Sequence, residues 1–283
     1  MAQILSGKPL ANEMLENLIT RTQALKDAGT VPTLAIVRVG NDESQIAYER
    51  GSTLRCTKAG IEVRHIVLDS GISEEDLLAE IEQINHDDSI HGCSLLLPLP
   101  ERINSRRICD TLSPEKDVDA VSSQSLGLLF MGLRSFPPCA AQACVNILDY
   151  YGLNIEGRNV CVVGRSLVVG RPVSMLMLSR NATVTVCHTF TRDLAEKCRN
   201  ADIVITAAGK AGLISEDYVN QTQIILDVGI NVGSDGKLCG DADYATLESI
   251  VSAITPVPGG VGIVASTVLA QHVVEAAERF SRR

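Results

Sequence analysis

The sequence predicts an α/β protein of two domains, each built around a parallel sheet. Short apolar runs rich in β-branched residues alternate with amphipathic helical segments along the whole chain of 283 residues. One such run, at 160–163, passes through Gly164 directly into a helical pattern. A second round of strand–helix alternation follows Pro137 and Pro138, so we expect two winding units with right-handed crossovers.

Hydrophobic spacing and capping residues predict the individual elements. In the first half we expect a helix over 10–28, a strand over 33–39, a helix capped within 41–44 and ending at 60, a strand over 63–68, a helix opened by the capping box at 73–76, a strand over 91–97, a short helix over 105–112 and a polar loop over 113–125. In the second half we expect a helix over 140–151, strands over 159–163, 183–188, 203–207 and 224–228, a helix after Gly164, another ending at 199, and a last helix from 266.

The stretch 160–172 is the most informative in the chain. It reads Val-Cys-Val-Val-Gly-Arg-Ser-Leu-Val-Val-Gly-Arg-Pro, which predicts a buried strand, a glycine turn and a helix. Such a turn directs backbone N–H groups and the positive end of the helix dipole toward one point, which suits a phosphate. Ser166 and Val169 stand where a dinucleotide fingerprint has further glycines. Nucleotide binding and an ordinary strand–helix turn therefore both remain open on this stretch alone.

Composition narrows the class of partner. A formal net charge of −9, 3% aromatic residues and no Trp argue against nucleic acid or an anionic membrane as partner. No apolar run approaches the roughly 20 residues that cross a bilayer, and we see no secretion signal. Nine cysteines without a Cys-x-x-Cys pair indicate reduced thiols, with no disulfide framework and no metal site. We expect a cytoplasmic protein that acts on small molecules.

The second strand of the second winding unit indicates the type of nucleotide. It ends in Cys187, His188 and Thr189, where an NAD enzyme usually offers an acidic residue to the ribose. We expect Arg165, in the turn after the first strand of this unit, and Arg192 to lie nearby, and both suit a ribose 2′-phosphate. This pattern favours NADP over NAD, which remains possible, while the alternative is that both arginines are simply solvated.

Five motifs in order and in register resemble one known family over essentially the full length. They are Leu-Pro-Leu-Pro at 97–100, Pro-Glu-Lys-Asp-Val-Asp at 114–119, Val-Gly-Arg-Ser-x-x-Val-Gly-Arg-Pro at 163–172, Asp-Val-Gly-Ile-Asn at 227–231 and Thr-Pro-Val-Pro-Gly-Gly-Val-Gly at 255–262. The sequence is similar to the bifunctional methylenetetrahydrofolate dehydrogenase/methenyltetrahydrofolate cyclohydrolase family of the FolD type. That family oxidises 5,10-methylenetetrahydrofolate with NADP and hydrolyses the methenyl product to 10-formyltetrahydrofolate.

The resemblance implies a domain plan and a set of site residues. It implies a folate-binding catalytic domain over 1–140 and 267–283, a Rossmann-like NADP-binding domain over 141–266, a cleft between them and a homodimer. Tyr48 and Asp119 match the tyrosine beside the folate and the aspartate that hydrogen-bonds the pterin. The other implied residues are Leu97, Pro98, Gly260 and Val261 on the substrate side and Gly164, Arg165, Ser166, Thr189 and Ile230 on the cofactor side.

The sequence departs from the family at positions that handle protons. The family has a lysine four residues after the tyrosine, or in some relatives six residues after it, where this chain has Ser52 and Leu54. The glutamine that partners that lysine is Leu96 here. Burial can lower the pKa of a lysine toward neutrality, but neither serine nor leucine can act as an acid or a base near neutral pH. Since losing an acid–base group costs about 10²- to 10⁴-fold, we expect a weak or absent cyclohydrolase.

Two other functions remain open at this point. Loss of both lysine and glutamine also fits a catalytically silent paralogue that binds folate or nucleotide, and the unusual 263–265 stretch fits a dehydrogenase of another small substrate. Single residues have plainer interpretations too. Tyr48 and His188 can be packing residues, Asp119 a solvated carboxylate, and Cys139 and Cys144 core residues, and Ser52 can bond the carbonyl one turn back.

Overall fold

The computed structural model describes residues 1–233 and 236–282, which form two compact units. One unit contains Met1–Ala11 and Ala140–Ala265, and the other contains Asn12–Cys139 and the C-terminal residues from Ser266 on. The N-terminal strand therefore belongs to the same unit as 140–265. The division of labour predicted from the resemblance, folate against NADP, stays a prediction.

Strands and helices alternate through both units. Up to residue 150 the elements are β1 (Gln3–Ile4), α1 (Gly7–Asp27), β2 (Thr33–Val39), α2 (Glu43–Lys58), β3 (Glu62–Leu68), α3 (Glu74–His86), β4 (Gly92–Leu95), α4 (Ser105–Thr111), α5 (Ser123–Phe130) and α6 (Cys139–Tyr150). The remaining elements are β5 (Asn159–Val163), α7 (Gly170–Ser179), β6 (Thr183–Cys187), α8 (Leu194–Arg199), β7 (Ile203–Thr206), β8 (Ile224–Asp227), β9 (Asn231–Val232), β10 (Leu238–Cys239), α9 (Tyr244–Leu247), β11 (Ala253–Ile254) and α10 (Val261–Phe280). None of the described helices is long and apolar enough to cross a bilayer.

The unit that contains 12–139 is built on a three-stranded parallel sheet in the order β3-β2-β4. All seven residues of β2 are buried, as expected for the central strand of a parallel sheet covered on both faces. Leu77 and Ile81 of α3 and Ile108 of α4 pack into its core. Because parallel strands all end at one edge, the loops that follow β2 and β4 lie together there.

The other unit is built on a six-stranded parallel sheet in the order β1-β11-β8-β7-β5-β6. The chain leaves β5 for its neighbour β6 and then returns to the opposite side of β5 to form β7. The order of the strands thus reverses between β5 and β7, which is where open α/β sheets bind their ligands. The core below contains Cys161, Val204, Ile225 and Leu247.

The α/β class and the parallel sheets are confirmed, and several details of the elements are corrected. The predicted polar loop over 113–125 contains the start of α5, which Ser122 caps by accepting a hydrogen bond from the Ser125 N–H group. The last helix begins at Val261, not at 266, because Gly262 is tolerated in its first turn. The strands β1 and β11 are two residues each, too short for a periodic pattern, and β9 and β10 pair antiparallel.

Candidate active site and cofactor site

Helix α2 carries Tyr48 and begins at a well-formed cap. The Asp42 carboxylate accepts hydrogen bonds from the N–H groups of Ser44 and Gln45, at 2.9 and 3.0 Å. The buried face of α2 consists of Gln45, Glu49, Ser52 and Cys56. Tyr48 lies beside this face and keeps 38% of its surface exposed. The cap and the buried face together fix where the tyrosine stands.

A buried ion pair holds α2 to the sheet next to Tyr48. Arg38 of β2 donates from Nε to Glu49 Oε2 at 2.7 Å, and the two residues are 8% and 9% exposed. Glu49 Oε1 lies 2.6 Å from His65 Nδ1 of β3. Breaking such a pair on one side would leave an uncompensated buried charge. The position of Tyr48 along the sheet edge therefore depends on its neighbour Glu49.

Two charged residues of the 114–119 motif, Lys116 and Asp117, have structural roles. Lys116 is buried and donates from Nζ to the carbonyl groups of Ile84 and Asp87, at 2.7 and 2.8 Å, which ties down the end of α3. The Asp117 carboxylate accepts the N–H group and the hydroxyl of Ser122, at 3.0 and 2.7 Å, which fixes the start of α5. The loop is therefore rigid at Asp119.

Asp119 and Tyr48 stand close enough to influence each other's protonation. Asp119 Oδ1 accepts a hydrogen bond from the Cys139 N–H group at 2.9 Å. Burial raises the pKa of Asp119 to about 6, although the Cys139 groups and the Tyr48 hydroxyl favour its charged form. Desolvation of the hydroxyl raises the pKa of Tyr48 well above its usual value, and the charge of Asp119 raises it further. At neutral pH the phenol is a proton donor and Asp119 is mostly an acceptor.

Ser52 is buried without a hydrogen bond. Its side chain is 1% exposed, and Oγ, although near Tyr48, has no partner with hydrogen-bond geometry among residues 1–233 and 236–282. The interpretation that Ser52 bonds the carbonyl one turn back is wrong, because its Oγ has no such partner. The neighbouring Thr53 Oγ1 does bond one turn back, to Glu49 O at 2.7 Å. Leu54 is 58% exposed. Of the two positions where relatives carry the lysine, 52 lies on the buried face of α2 and 54 does not.

Gln45 belongs to this region although sequence reasoning missed it. Its Nε2 donates to Pro98 O at 2.8 Å, next to the cis peptide bond between Leu97 and Pro98. Its Oε1 is buried and accepts no hydrogen bond from the described part of the chain. Leu97 is 37% exposed, whereas Leu96 is 5% exposed. The sequence signal that could have identified Gln45 is that it is a polar residue on the buried face of α2, one turn before Tyr48.

Gly260 and Val261 lie in the other unit, at the start of α10. Gly260 is buried, and a Cβ there would come within 2.5 Å of Pro256 O. Val261 is 1% exposed. The structure therefore places both residues as tightly packed backbone, with no side chain directed to solvent.

The predicted cofactor residues gather at the carboxyl ends of neighbouring strands. Gly164, Arg165 and Ser166 follow β5, Thr189 follows β6, and Ile230 follows β8. Gly164 has φ +133°, and a Cβ there would lie 2.3 Å from Ala207 O, so only glycine fits where β5 and β7 end side by side.

In the turn before α7 the Ser166 side chain occupies two of the backbone N–H groups that the 160–172 pattern would direct toward a phosphate. Ser166 Oγ accepts from the N–H groups of Val169 and Gly170, at 3.1 and 3.4 Å, and Ser166 O accepts from Arg171 at 3.0 Å. Pro172 has no N–H group. The helix begins six residues after Gly164, so the serine has room to fold back and cap it. Side chains at this edge are further candidates for binding an anion.

Exposed side chains of the β5 and β6 loops supply such groups. The guanidinium carbon of Arg165 lies 6.0 Å from the centre of the Phe190 ring, in the loop after β6. Arg165, Thr189 and Arg192 are all exposed. Ile230 is 67% exposed, an apolar surface at the same edge of the sheet.

Two buried aspartates hold the loops at this edge. Asp241 accepts hydrogen bonds from the N–H groups of Ala208, Gly209 and Lys210, at 2.6 to 3.2 Å. Asp227, whose pKa burial raises to about 6, accepts from Gly229 N at 3.0 Å. Because each lost partner would leave a buried N–H group unsatisfied, the loops before and after Ile230 keep one shape.

A parallel sheet whose order reverses beside a glycine turn, with cationic side chains at that edge, defines a dinucleotide-binding α/β protein. Residues 138–281 match the family model of the tetrahydrofolate dehydrogenase/cyclohydrolase NAD(P)-binding domain, and residues 5–119 match the model of the catalytic domain. The chain belongs to the tetrahydrofolate dehydrogenase/cyclohydrolase family, as its motifs predicted.

Relatives match over the full length. A protein of Clostridium botulinum named "Bifunctional protein FolD" is 45% identical over 282 residues, which is 99% of this chain and 100% of that one. The crystal structure of the bifunctional FolD methylenetetrahydrofolate dehydrogenase/cyclohydrolase of Campylobacter jejuni is 36% identical, with a TM-score of 0.96 over 99% of each chain. The Trypanosoma brucei enzyme, complexed with NADP and an inhibitor, is 28% identical, with a TM-score of 0.95 over 100% of this chain and 99% of that one.

The raised pKa of Asp119 predicts a pH dependence of stability. Between its unfolded pKa near 3.8 and its folded pKa of about 6, the folded state holds the proton more tightly. Stability should therefore fall as the pH rises through this window and level off above it, by at most about 3 kcal/mol. Urea unfolding of the protein and of Asp119→Asn from pH 4 to 8 measures how the free energy of unfolding of each depends on pH. The difference between the two dependences should shrink toward low pH.

Asp110→Asn is the control for this measurement. Although burial acts the other way, hydrogen bonds from Ser123 hold the pKa of Asp110 below its usual value. The contribution of Asp110 to the free energy of unfolding should be lost as the pH falls, so its pH dependence has the opposite sign to that of Asp119. Parallel profiles for the protein and Asp119→Asn would contradict the assignment.

Proposed function

We propose that the protein is an NADP-dependent dehydrogenase that oxidises 5,10-methylenetetrahydrofolate to 5,10-methenyltetrahydrofolate, with little or no cyclohydrolase activity. The observation that carries the proposal is the pair of Tyr48 and Asp119 on rigid supports, in a chain that belongs to the family over its full length. In this role Asp119 accepts hydrogen bonds from the pterin and Tyr48 lies beside the folate. Leu97, Pro98, Gly260 and Val261 complete the proposed substrate side.

Hydride transfer needs little from the protein beyond positioning. The cofactor supplies the redox chemistry, and the protein aligns two rings and excludes water. Asp119 has one carboxylate oxygen bonded to Cys139 N, and a carboxylate accepts about four hydrogen bonds. The remaining acceptor capacity suits a pterin ring, which presents a row of N–H donors. No proton needs to be moved by Ser52 for this step.

Hydrolysis of the methenyl bridge makes different demands. A base is needed to activate water, and a group near Tyr48 would have to titrate close to neutrality. Burial raises the pKa of Cys56 to about 12 and that of the Cys139 thiol well above its usual value. Ser52 does not titrate. Among the groups near Tyr48, Asp119 has a pKa near 6. The proposed pterin contact occupies it, which supports a weak cyclohydrolase.

The proposed cofactor is NADP, and NAD is the alternative. The loop after β6 contains no acidic residue before Asp193, and the exposed Arg165 lies beside Phe190. A guanidinium binds a phosphate with charge-assisted, often bidentate hydrogen bonds. The Trypanosoma brucei relative binds NADP. Gly164, Ser166, Thr189 and Ile230 are the other proposed cofactor residues.

The proposal includes a setting for the enzyme. Two copies form a homodimer, as the family resemblance implies, and they act in the cytoplasm on tetrahydrofolate derivatives. All nine cysteines are free thiols and eight of them are buried, which supports a reducing compartment.

The decisive assay follows two reactions in parallel. Purified protein is mixed with methylenetetrahydrofolate and NADP while the absorbance of the reduced cofactor is recorded, and the decay of methenyltetrahydrofolate is measured separately. Reduction without faster decay is the expected result. Folate binding without reduction of NADP or NAD would instead identify the silent paralogue, which the loss of lysine and glutamine also fits.

Ser52→Lys combined with Leu96→Gln should restore cyclohydrolase activity. A lysine at 52 lies on the buried face beside Tyr48, where desolvation lowers its pKa toward a useful range, and glutamine supplies the family's partner. We expect a gain in methenyltetrahydrofolate hydrolysis of about 10²-fold, at the low end of general acid–base effects.

Thr57→Lys is the matched control, because it adds the same charge at an exposed position of α2. It should leave the hydrolysis rate unchanged. A double variant that folds, keeps its dehydrogenase activity and gains no hydrolysis would refute our account of the weak activity.

Arg165→Gln should discriminate between the two cofactors. Loss of a charge-assisted phosphate contact is expected to raise KM for NADP about tenfold while KM for NAD changes little. Lys197→Gln removes an equal charge from the exposed face of α8 and should affect neither constant. An equal rise for both cofactors in Arg165→Gln would argue against a 2′-phosphate contact.

A further inference from the structure

A separate cavity lies within the unit formed by 12–139 and the C-terminal residues. It has a volume of about 480 Å³ and is lined by two arginines, Arg134 and Arg279, by one carboxylate, that of Glu115, and by other residues that include Pro114, Gln124, Leu128 and Phe280. None of these is a residue proposed for the folate or the cofactor. Small-molecule sites are typically cavities of about 300–1,000 Å³, and this cavity falls within that range, with both polar and apolar residues in its lining.

Arg279 of α10 is held in place but incompletely bonded. Its guanidinium carbon lies 4.1 Å from the centre of the Phe136 ring, so the group is stacked on an aromatic face. Its Nε is buried and donates to no acceptor in residues 1–233 and 236–282. Its nearest carboxylate, that of Glu275, is 3.8 Å from Nη2 and also accepts a hydrogen bond from Gln271.

Arg134 brings a second positive charge to the same cavity. It is exposed, and within the described chain no carboxylate lies within 4.0 Å of it. Desolvation lowers the pKa of Arg279, and repulsion from Arg134 lowers it further, while Glu275 and Glu115 act in the opposite direction. Two guanidinium groups thus share a cavity in a chain whose net charge is −9.

We infer that this cavity binds a small organic anion, whose carboxylate or phosphate group pairs with Arg279 and Arg134. A buried N–H donor without an acceptor costs free energy that an oxyanion would recover. Planar guanidinium groups match the oxygens of both carboxylate and phosphate. Pro114, Leu128 and Phe280 form apolar walls for the remainder of the ligand.

Binding can be measured on the full-length protein with three probes: phenyl phosphate, benzoate and inorganic phosphate. Titration calorimetry should show saturable binding of phenyl phosphate or benzoate that is tighter than that of inorganic phosphate, because the apolar walls contribute. The relative affinities of phenyl phosphate and benzoate distinguish a phosphate ligand from a carboxylate ligand. No saturable binding of either organic probe would overturn the inference.

Variants locate the site. Arg134→Gln and Arg279→Gln should each weaken binding about tenfold, which corresponds to the loss of one charge-assisted hydrogen bond. Arg282→Gln removes an equal charge from an exposed position near the C-terminal end of the same helix and should change affinity less than twofold. Unchanged binding in Arg134→Gln would contradict the inference even if Arg279→Gln failed to fold.

Activity separates this inference from the proposed function. Arg134→Gln should keep the kcat/KM of the dehydrogenase in the absence of the probes, because Arg134 lies outside the proposed catalytic and cofactor residues. A protein without dehydrogenase activity could still bind the probes, and an active dehydrogenase could fail to bind them. The two outcomes are therefore independent.

Discussion

A buried carboxylate needs hydrogen-bond donors, and backbone N–H groups supply them to the buried aspartates of both units. Asp241 accepts hydrogen bonds from three N–H groups of the 208–210 loop, and Asp117 fixes the start of α5 by accepting a hydrogen bond from the Ser122 N–H group. Each of these aspartates is a point around which a loop folds. Asp119 differs because the Cys139 N–H is the one backbone donor it has in the described chain. Its remaining lone pairs and its raised pKa make it the carboxylate that is available to a ligand.

The periodic elements of the fold could be predicted from sequence, whereas features that depend on distant residues could not. The bounds of β2 and β5 follow from their β-branched runs and are confirmed. The strand β1 has only two residues and exists because it pairs with β11, about 250 positions later in the chain. The start of α5 looked like a polar loop because its polar residues are capping groups, whose partners in the 114–119 motif no local pattern reveals.

In the candidate site, too, the features that depend on distant residues could not be predicted from local sequence patterns. Tyr48 and Asp119 were predicted only through the family resemblance, since an isolated tyrosine and an isolated loop aspartate carry no periodic signal. Gln45 was missed because its importance lies in one contact with Pro98. The phosphate hypothesis for α7 depends on a contact of the same kind. The motif places Ser166 in the turn, but only the folded loop reveals that this serine takes the N–H groups of Val169 and Gly170.

Family membership determines the fold more firmly than it determines each reaction. The two reactions of the family differ in what they require from side chains: hydride transfer requires alignment, whereas hydrolysis requires a group that exchanges a proton near neutral pH. Ser52 lies on the buried face of α2, its Oγ has no hydrogen-bond partner in the described chain, and a serine hydroxyl does not titrate near neutral pH. The thiols of Cys56 and Cys139 are too weakly acidic to replace the family's lysine. A chain that keeps Tyr48 and Asp119 but has Ser52 can thus retain the alignment and lose the proton transfer, because the two functions reside in different side chains on the same supports.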